Sequence, residues 1–177
     1  MRLCWFDIET TGLDPEKDLI LEVAAIVTGA DVERTIGSFT IPIKQDLSVA
    51  CGLMNPFVTE MHSRNGLLSD IARGYCSPLA IAEAALTDLL NISQGSDPGP
   101  IYLAGNSIHF DRSFVKRHMP ALEGKLYYRM LDVSSLKIAC RDVLGIAQDK
   151  GAGAHRAMAD VVESIKEFQF FAARVQK

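Results

Sequence analysis

Apolar positions along the chain fall into short blocks whose spacing alternates between strand-like and helix-like. Leu3 to Phe6 is an apolar run that reads as a buried strand. Leu19 to Thr28 is too apolar for a surface element and predicts a central strand, and Thr35 to Ile43 alternates as an edge strand does, with Pro42 suited to an edge. Short turns between the three predict an antiparallel meander. From Leu53 to Leu68 the pattern is irregular, and short helical turns over one end of the sheet are expected. Pro78 to Ile92 places Leu79, Ala82, Ala85, Leu86, Leu89 and Leu90 at helical spacing. Ile101 to Ala104 is a further buried strand, His109 to His118 a helix closed by Pro120, Leu126 to Asp132 a strand, and Val133 to Leu144 a helix. Gly145 to Gly153 reads as mobile, and a last helix is expected from about Ala154 to Val175. The sum is an α/β fold, a mixed five-stranded sheet with three antiparallel strands followed by two parallel ones, flanked by helices.

Composition bounds what such a sheet can be. At 177 residues and 48% hydrophobic content, one domain spanning 1–177 is expected, able to bury roughly 70% of its unfolded surface. An acidic residue interrupts the first apolar run and no run approaches a membrane span, so a soluble cytoplasmic protein is expected. Cys4, Cys51, Cys76 and Cys140 lack C-x-x-C spacing and read as reduced, mostly packed thiols. Net charge is −4, yet residues 112–141 hold seven Lys/Arg against Glu123 and Asp132. That distribution is poorly made for coating long duplexes but can hold a short anionic substrate.

The chemistry-bearing stretch is Trp5-Phe6-Asp7-Ile8-Glu9-Thr10-Thr11-Gly12-Leu13-Asp14. Residues i and i+2 of a strand share a face, so Asp7 and Glu9 are forced side by side as they leave the strand end, and Gly12 lets the backbone turn away. Two adjacent carboxylates are unfavourable without a proton or cation between them, and hard oxygen ligands favour Mg²⁺ or Mn²⁺. Asp111 and Asp160 each fall near a predicted helix start after a strand or loop, which lets four acids converge. Two cations are the known way to use such a cluster on a phosphodiester. His155, five residues before Asp160, is expected on the loop leading into the last helix, with Gly151 and Gly153 as its hinge. A histidine titrating near neutrality there can take the proton of the attacking water. His62 reads first as a buried, satisfied imidazole.

Asp7-x-Glu9, Asp111 and His155-x4-Asp160 resemble, position for position, the DEDDh family of 3′→5′ exonucleases, which is built on a ribonuclease H-like sheet. Within it, the segments around Val58 to Leu67, Ala104 to Ile108, Tyr128 to Lys137 and Ala154 to Asp160 are similar to oligoribonucleases, actinobacterial forms especially.

The resemblance implies two divalent ions, with Asp7, Glu9 and Asp160 on one and Asp7 with Asp111 on the other, and His155 deprotonating the water. It implies that Leu13 and Phe57 flank the terminal base, that His62 belongs to the substrate side, and that Ser107, Ser134, Ser135 and a partner subunit's Arg129 grip the 5′ phosphate. It also implies a homodimer in which Tyr128 and Arg129 act across the interface, and degradation of two-to-five-nucleotide RNA to 5′-mononucleotides. Two departures stand out. Many relatives carry tryptophan where Phe57 aligns, so stacking should be weaker, and the segment from Arg141 to Gly153 is short and lacks aromatics. The alternative readings are a related exonuclease on single-stranded DNA 3′ ends, or a nucleotide-binding homologue that has lost catalysis.

Overall fold

The computed structural model describes residues 1–95, 99–148 and 155–175. A five-stranded sheet runs in the order β3-β2-β1-β4-β5, from β1 (Arg2–Thr10), β2 (Ile20–Thr28), β3 (Thr35–Pro42), β4 (Ile101–Gly105) and β5 (Met130–Asp132). β1 pairs antiparallel with β2 and β2 with β3, whereas β1 with β4 and β4 with β5 run parallel. The predicted architecture is therefore observed. β2 is buried along its whole length because it lies between two strands and beneath helices on both faces. That is why its sequence is almost continuously apolar, with Glu22 its one ionisable residue.

The pleat of β1 sorts its side chains into two cores. Cys4, Phe6 and Ile8 enter one with Val23, Ala25, Leu86 and Phe114, the layer beneath α4 (Leu79–Gln94) and α5 (His109–His118). Leu3 and Trp5 enter the other with Ala24, Ile26, Ala157 and Val161, beneath α8 (Ala157–Val175). Asp7 and Glu9 continue the Leu3 and Trp5 face by period two, so they project on the side where α8 begins.

Several elements differ from the expectation. β1 runs through Thr10, so the two acids lie within the strand rather than beyond its end. The short helical turns expected from Leu53 to Leu68 are observed as α2 (Pro56–Arg64) and the start of α3 (Leu67–Ala72), but an unexpected helix, α1 (Leu47–Leu53), precedes them; Asp46 and Asn55 cap α1 and α2 with side chains that accept from backbone N–H groups. After the short α6 (Pro120–Glu123), β5 holds three residues rather than seven, because Tyr127 donates to the Ile101 carbonyl and the chain joins the ladder only at Met130. The expected helix to Leu144 is α7 (Val133–Ile138) followed by a π-helical turn, Ala139–Val143. Gly151, Gly153 and Ala154, and with them the expected hinge, lie outside the described residues. Cys4 and Cys140 are buried and Cys51 is exposed. Among the described residues no helix is long and apolar enough to cross a membrane.

Candidate active site

Three chain segments meet where β1 and β4 part. Their ladder ends at Trp5 and Ala104, leaving the edge of β1 beyond it open. The Ile8 N–H on that edge is satisfied by Asp111, whose Oδ1 accepts it at 3.1 Å from the first turn of α5. Gly105 makes the parting possible, since a Cβ there would lie 2.8 Å from the Phe6 carbonyl oxygen. On the other side, the first turn of α8 lowers Asp160 onto the Asp7 and Glu9 face. Carboxylate oxygens of Asp7, Glu9 and Asp160 come within 4.8 Å of one another. Asp111 and His155 line the same cleft of about 250 Å³, as do Asn106 and Ser107.

The electrostatics are those of acids held together out of water. Glu9 is 8% exposed and Asp111 4%. Burial pushes the Glu9 carboxyl up to about 8, and Asp160 and Glu22 add to this while Arg156 opposes it. Asp111 is raised to about 7 by burial, against the backbone hydrogen bonds that favour its charged form. Asp7 is raised well above the usual carboxylate range, by burial first and then by Asp111, Glu9 and Asp160. Closely spaced carboxylates with raised proton affinity form the donor set that a hard divalent cation takes, and it displaces the protons by binding. The residues present thus fit such an ion.

The remaining candidates are distributed as follows. His155 lies two residues before α8, at φ 50°, and lines both the acidic cleft and a neighbouring cavity of about 370 Å³. Phe57 and Met61, on one face of α2, line that second cavity. Phe57 is 72% exposed and Leu13, in the loop after β1, 80%. His62 is fully buried beneath the cleft, Nε2 at 3.2 Å from the Thr10 carbonyl and 3.9 Å from Glu9, and burial lowers its proton affinity. It is therefore a neutral prop of the β1 end, placed below the site and not facing the cleft.

Ser107, at φ 47°, donates from its N–H to Asp132 Oδ1 and Ser134 Oγ, each at 3.0 Å. Ser134 Oγ donates in turn to Asn106 Oδ1 at 3.1 Å, and Ser135 Oγ to Asp132 Oδ2 at 2.9 Å. The three serines thus form one rim organised by Asp132, with Ser107 and Ser135 exposed and Ser134 half-buried. Tyr128 and Arg129 are exposed, the Arg129 guanidinium 5.2 Å over the Tyr128 ring. Buried Arg112 holds that segment by donating to the Tyr128 carbonyl at 2.8 Å while gripping Glu123.

Sequence reasoning missed Glu22, Asn65, Arg156 and Asp132. Glu22 had a signal, a lone acid in a central strand. The others look like ordinary surface residues in one dimension.

An exonuclease family model, RNase_T, matches residues 4–168. The chain is 43% identical over 175 residues to the oligoribonuclease of Corynebacterium diphtheriae, an alignment covering 96% of this chain and 81% of that protein. It is 40% identical over 173 residues to the oligoribonuclease of Mycobacterium tuberculosis, covering 96% and 79%. Among solved structures, exonuclease I from Methylocaldum szegediense superposes with a TM-score of 0.76 at 19% identity, over 99% of this chain and 41% of that one. The zinc-bound Escherichia coli exonuclease I complex with single-stranded DNA gives 0.72 at 18% identity, over 98% and 40%. The chain spans about two fifths of those longer proteins, and at such identity the likeness concerns the fold.

Proposed function

The chain belongs to the oligoribonuclease family of metal-dependent 3′–5′ exonucleases, and from that premise we propose that it degrades RNA of two to about five nucleotides to 5′-mononucleotides. The observation that carries this reading is the meeting of Asp7, Glu9, Asp111, Asp160 and His155 in one cleft. Asp7, Glu9 and Asp160 would hold one Mg²⁺ or Mn²⁺ and Asp7 with Asp111 a second. When bound, the pair neutralises the carboxylates and draws charge from the oxygens of the phosphodiester.

The chain's own groups do the rest. An imidazole nitrogen of His155 takes a proton from water as its oxygen attacks the terminal phosphorus. The bond from phosphorus to the 3′ oxygen of the preceding nucleotide breaks, and that oxygen leaves with a proton from solvent. Leu13, exposed in the loop after β1, and Phe57, exposed on the wall of the neighbouring cavity, would present apolar surface to the terminal base. The Ser107, Ser134 and Ser135 rim supplies hydroxyls for the 5′ phosphate of a short substrate.

One exonuclease domain over 1–177, a cytoplasmic location and a homodimer complete the proposal. In favour of the dimer, five exposed large apolar side chains fall within residues 128–144: Tyr128, Met130, Ile138, Val143 and Leu144. That surface would let Tyr128 and Arg129 reach a partner's substrate. The test is digestion of a 5′-labelled RNA dinucleotide with Mn²⁺ and with EDTA, beside a twenty-nucleotide strand of RNA and of DNA. Rapid, metal-dependent cleavage of the dinucleotide above both long strands is expected. A dinucleotide that survives with metal present defeats the reading, and faster cleavage of the DNA strand would favour a DNA exonuclease.

A further inference from the structure

We infer that Asn65 and Arg156 are positioning residues for His155, which they clamp to the frame formed by α2, α3 and β2. This rests on the reading above, in which His155 accepts the proton. A residue with a β-carbon is disfavoured at φ 50°, and such a conformation persists only where its surroundings over-determine it. Here they do so at three successive residues.

The His155 carbonyl accepts a hydrogen bond from the Asn65 side-chain amide. Arg156 donates from Nη1 to the Asn65 carbonyl at 3.2 Å, grips Glu22 through Nε at 3.1 Å and Nη2 at 2.7 Å, and meets Asp70 at 3.1 Å. The Ala157 N–H donates to Glu22 Oε2 at 2.9 Å. Asn65 is itself fixed, for its Oδ1 accepts from the Leu67 N–H at 3.0 Å and its own N–H donates to the Met61 carbonyl at 3.0 Å.

Two consequences follow from where these anchors sit. Glu22 pairs across the register with Glu9, so the clamp ties His155 to the strand hydrogen-bonded alongside the one bearing Asp7 and Glu9. Asn65 ends the helix that carries Phe57 and Met61, so the same clamp ties His155 to the wall of the neighbouring cavity. The proton acceptor, the acids and the base-facing helix are thereby held in one geometry. Loosening the clamp should slow the chemical step without weakening substrate or metal binding.

The experiment compares the full chain with Asn65→Asp, Arg156→Lys and His155→Ala. Asn65→Asp keeps the acceptor for the Leu67 N–H but turns an acceptor against the His155 carbonyl. Arg156→Lys keeps the charge beside Glu22 but cannot span Glu22, Asp70 and the Asn65 carbonyl at once. Each should lower kcat on an RNA dinucleotide about 10–100-fold, with KM and calorimetric Mn²⁺ affinity changed by less than about threefold. His155→Ala should lose more than either. Normal kcat in both clamp variants beside an inactive His155→Ala overturns the inference and leaves the functional reading intact. An active His155→Ala overturns the reading itself. A parallel fall of Mn²⁺ affinity and kcat in both clamp variants makes the residues merely structural, which also overturns the inference.

Discussion

Glu9 on β1 lies directly across the antiparallel register from Glu22 on β2, and both are buried, at 8% and 2% exposure. Like charges opposite each other destabilise a sheet. Arg156 relieves the pair mainly by gripping Glu22, while His62, 3.9 Å from Glu9, has its proton affinity lowered by burial and offers that carboxylate little counter-charge. The proposed metal site thus costs stability at Glu9. Glu9→Gln should raise the melting temperature of the metal-free protein at pH 8.5, by at least ~1 kcal/mol, or about 2–4 °C for a domain of this size. It should also abolish nuclease activity. Calorimetry in EDTA checks the first part, and a lower melting temperature would show that Glu9 is stabilising where it stands.

The same cluster sets a pH dependence. Glu9 is raised to about 8 and Asp111 to about 7, whereas both residue types ionise near pH 4 in an unfolded chain. Above about pH 4 the unfolded state loses these protons while the folded state keeps them, so the folded form binds more protons and stability falls as pH rises. The loss continues until Glu9 ionises near pH 8. Exposed Asp14, Asp46 and Asp142 are lowered instead, and their opposite effect belongs to more acidic solutions. The metal-free protein should therefore melt progressively lower from pH 5 to pH 8, and the increment from Mn²⁺ should grow over the same range. A metal-free melting temperature that climbs across that interval would contradict the assignment.

Asp111 allows charge to be removed with little change in shape. Its Oδ1 satisfies the Ile8 N–H, and an asparagine oxygen can do the same. Asp111→Asn should keep or raise the melting temperature in EDTA at pH 7 and above, because it removes the cost of ionising a buried acid, while cutting the rate on a dinucleotide by at least ~10³-fold, as loss of a transition-state charge clamp does. Single-turnover kinetics give the answer, and near-normal turnover would place the reaction elsewhere.

Much of this site was legible because period-two alternation is strict. Once Leu3 and Trp5 face one core, Asp7 and Glu9 must follow them. Asp111 and Asp160 could be placed because each opens a helix with a clear apolar repeat. Boundaries failed where tertiary contacts decide them, as at β5, whose start is set by the ladder with β4 rather than by its own apolar run. The clamp on His155 was invisible for a related reason. Glu22, Asn65, Asp70 and Arg156 come from β2, the end of α2, α3 and the loop before α8, and no local spacing announces that they meet.

The π-helical turn bears on assembly. Val143 is 79% exposed at its end, next to Leu144 at 55%, with Ile138 at 56% where the turn begins. If these side chains are covered in a dimer, a charge among them costs association without touching the fold of one protomer. Val143→Glu should shift the protein toward monomer in analytical ultracentrifugation and lower activity on dinucleotides, since Arg129 would no longer reach a partner's substrate. A wild-type protein that sediments as a monomer would remove the basis for this expectation.

Gly12 sits in the bend that follows β1, as expected, and it also supplies room. A Cβ there would lie 2.5 Å from Asp18 Oδ2. Asp18 is the centre of the loop after β1, accepting from the Thr11 hydroxyl at 2.8 Å and from the Asp14 N–H at 2.9 Å, and the Thr11 hydroxyl accepts in turn from the Leu19 N–H. Gly12→Ala must push that carboxylate away and break at least one of these bonds, at a cost of about 1–3 kcal/mol. Leu13 follows directly and rides on the same loop, so its placement against a base should suffer while the acids on β1 keep theirs. The expected signature is a raised KM for dinucleotides with Mn²⁺ affinity unchanged. Measuring both on one preparation decides it, because a loss of metal binding would mean that the loop supports the β1 acids as well.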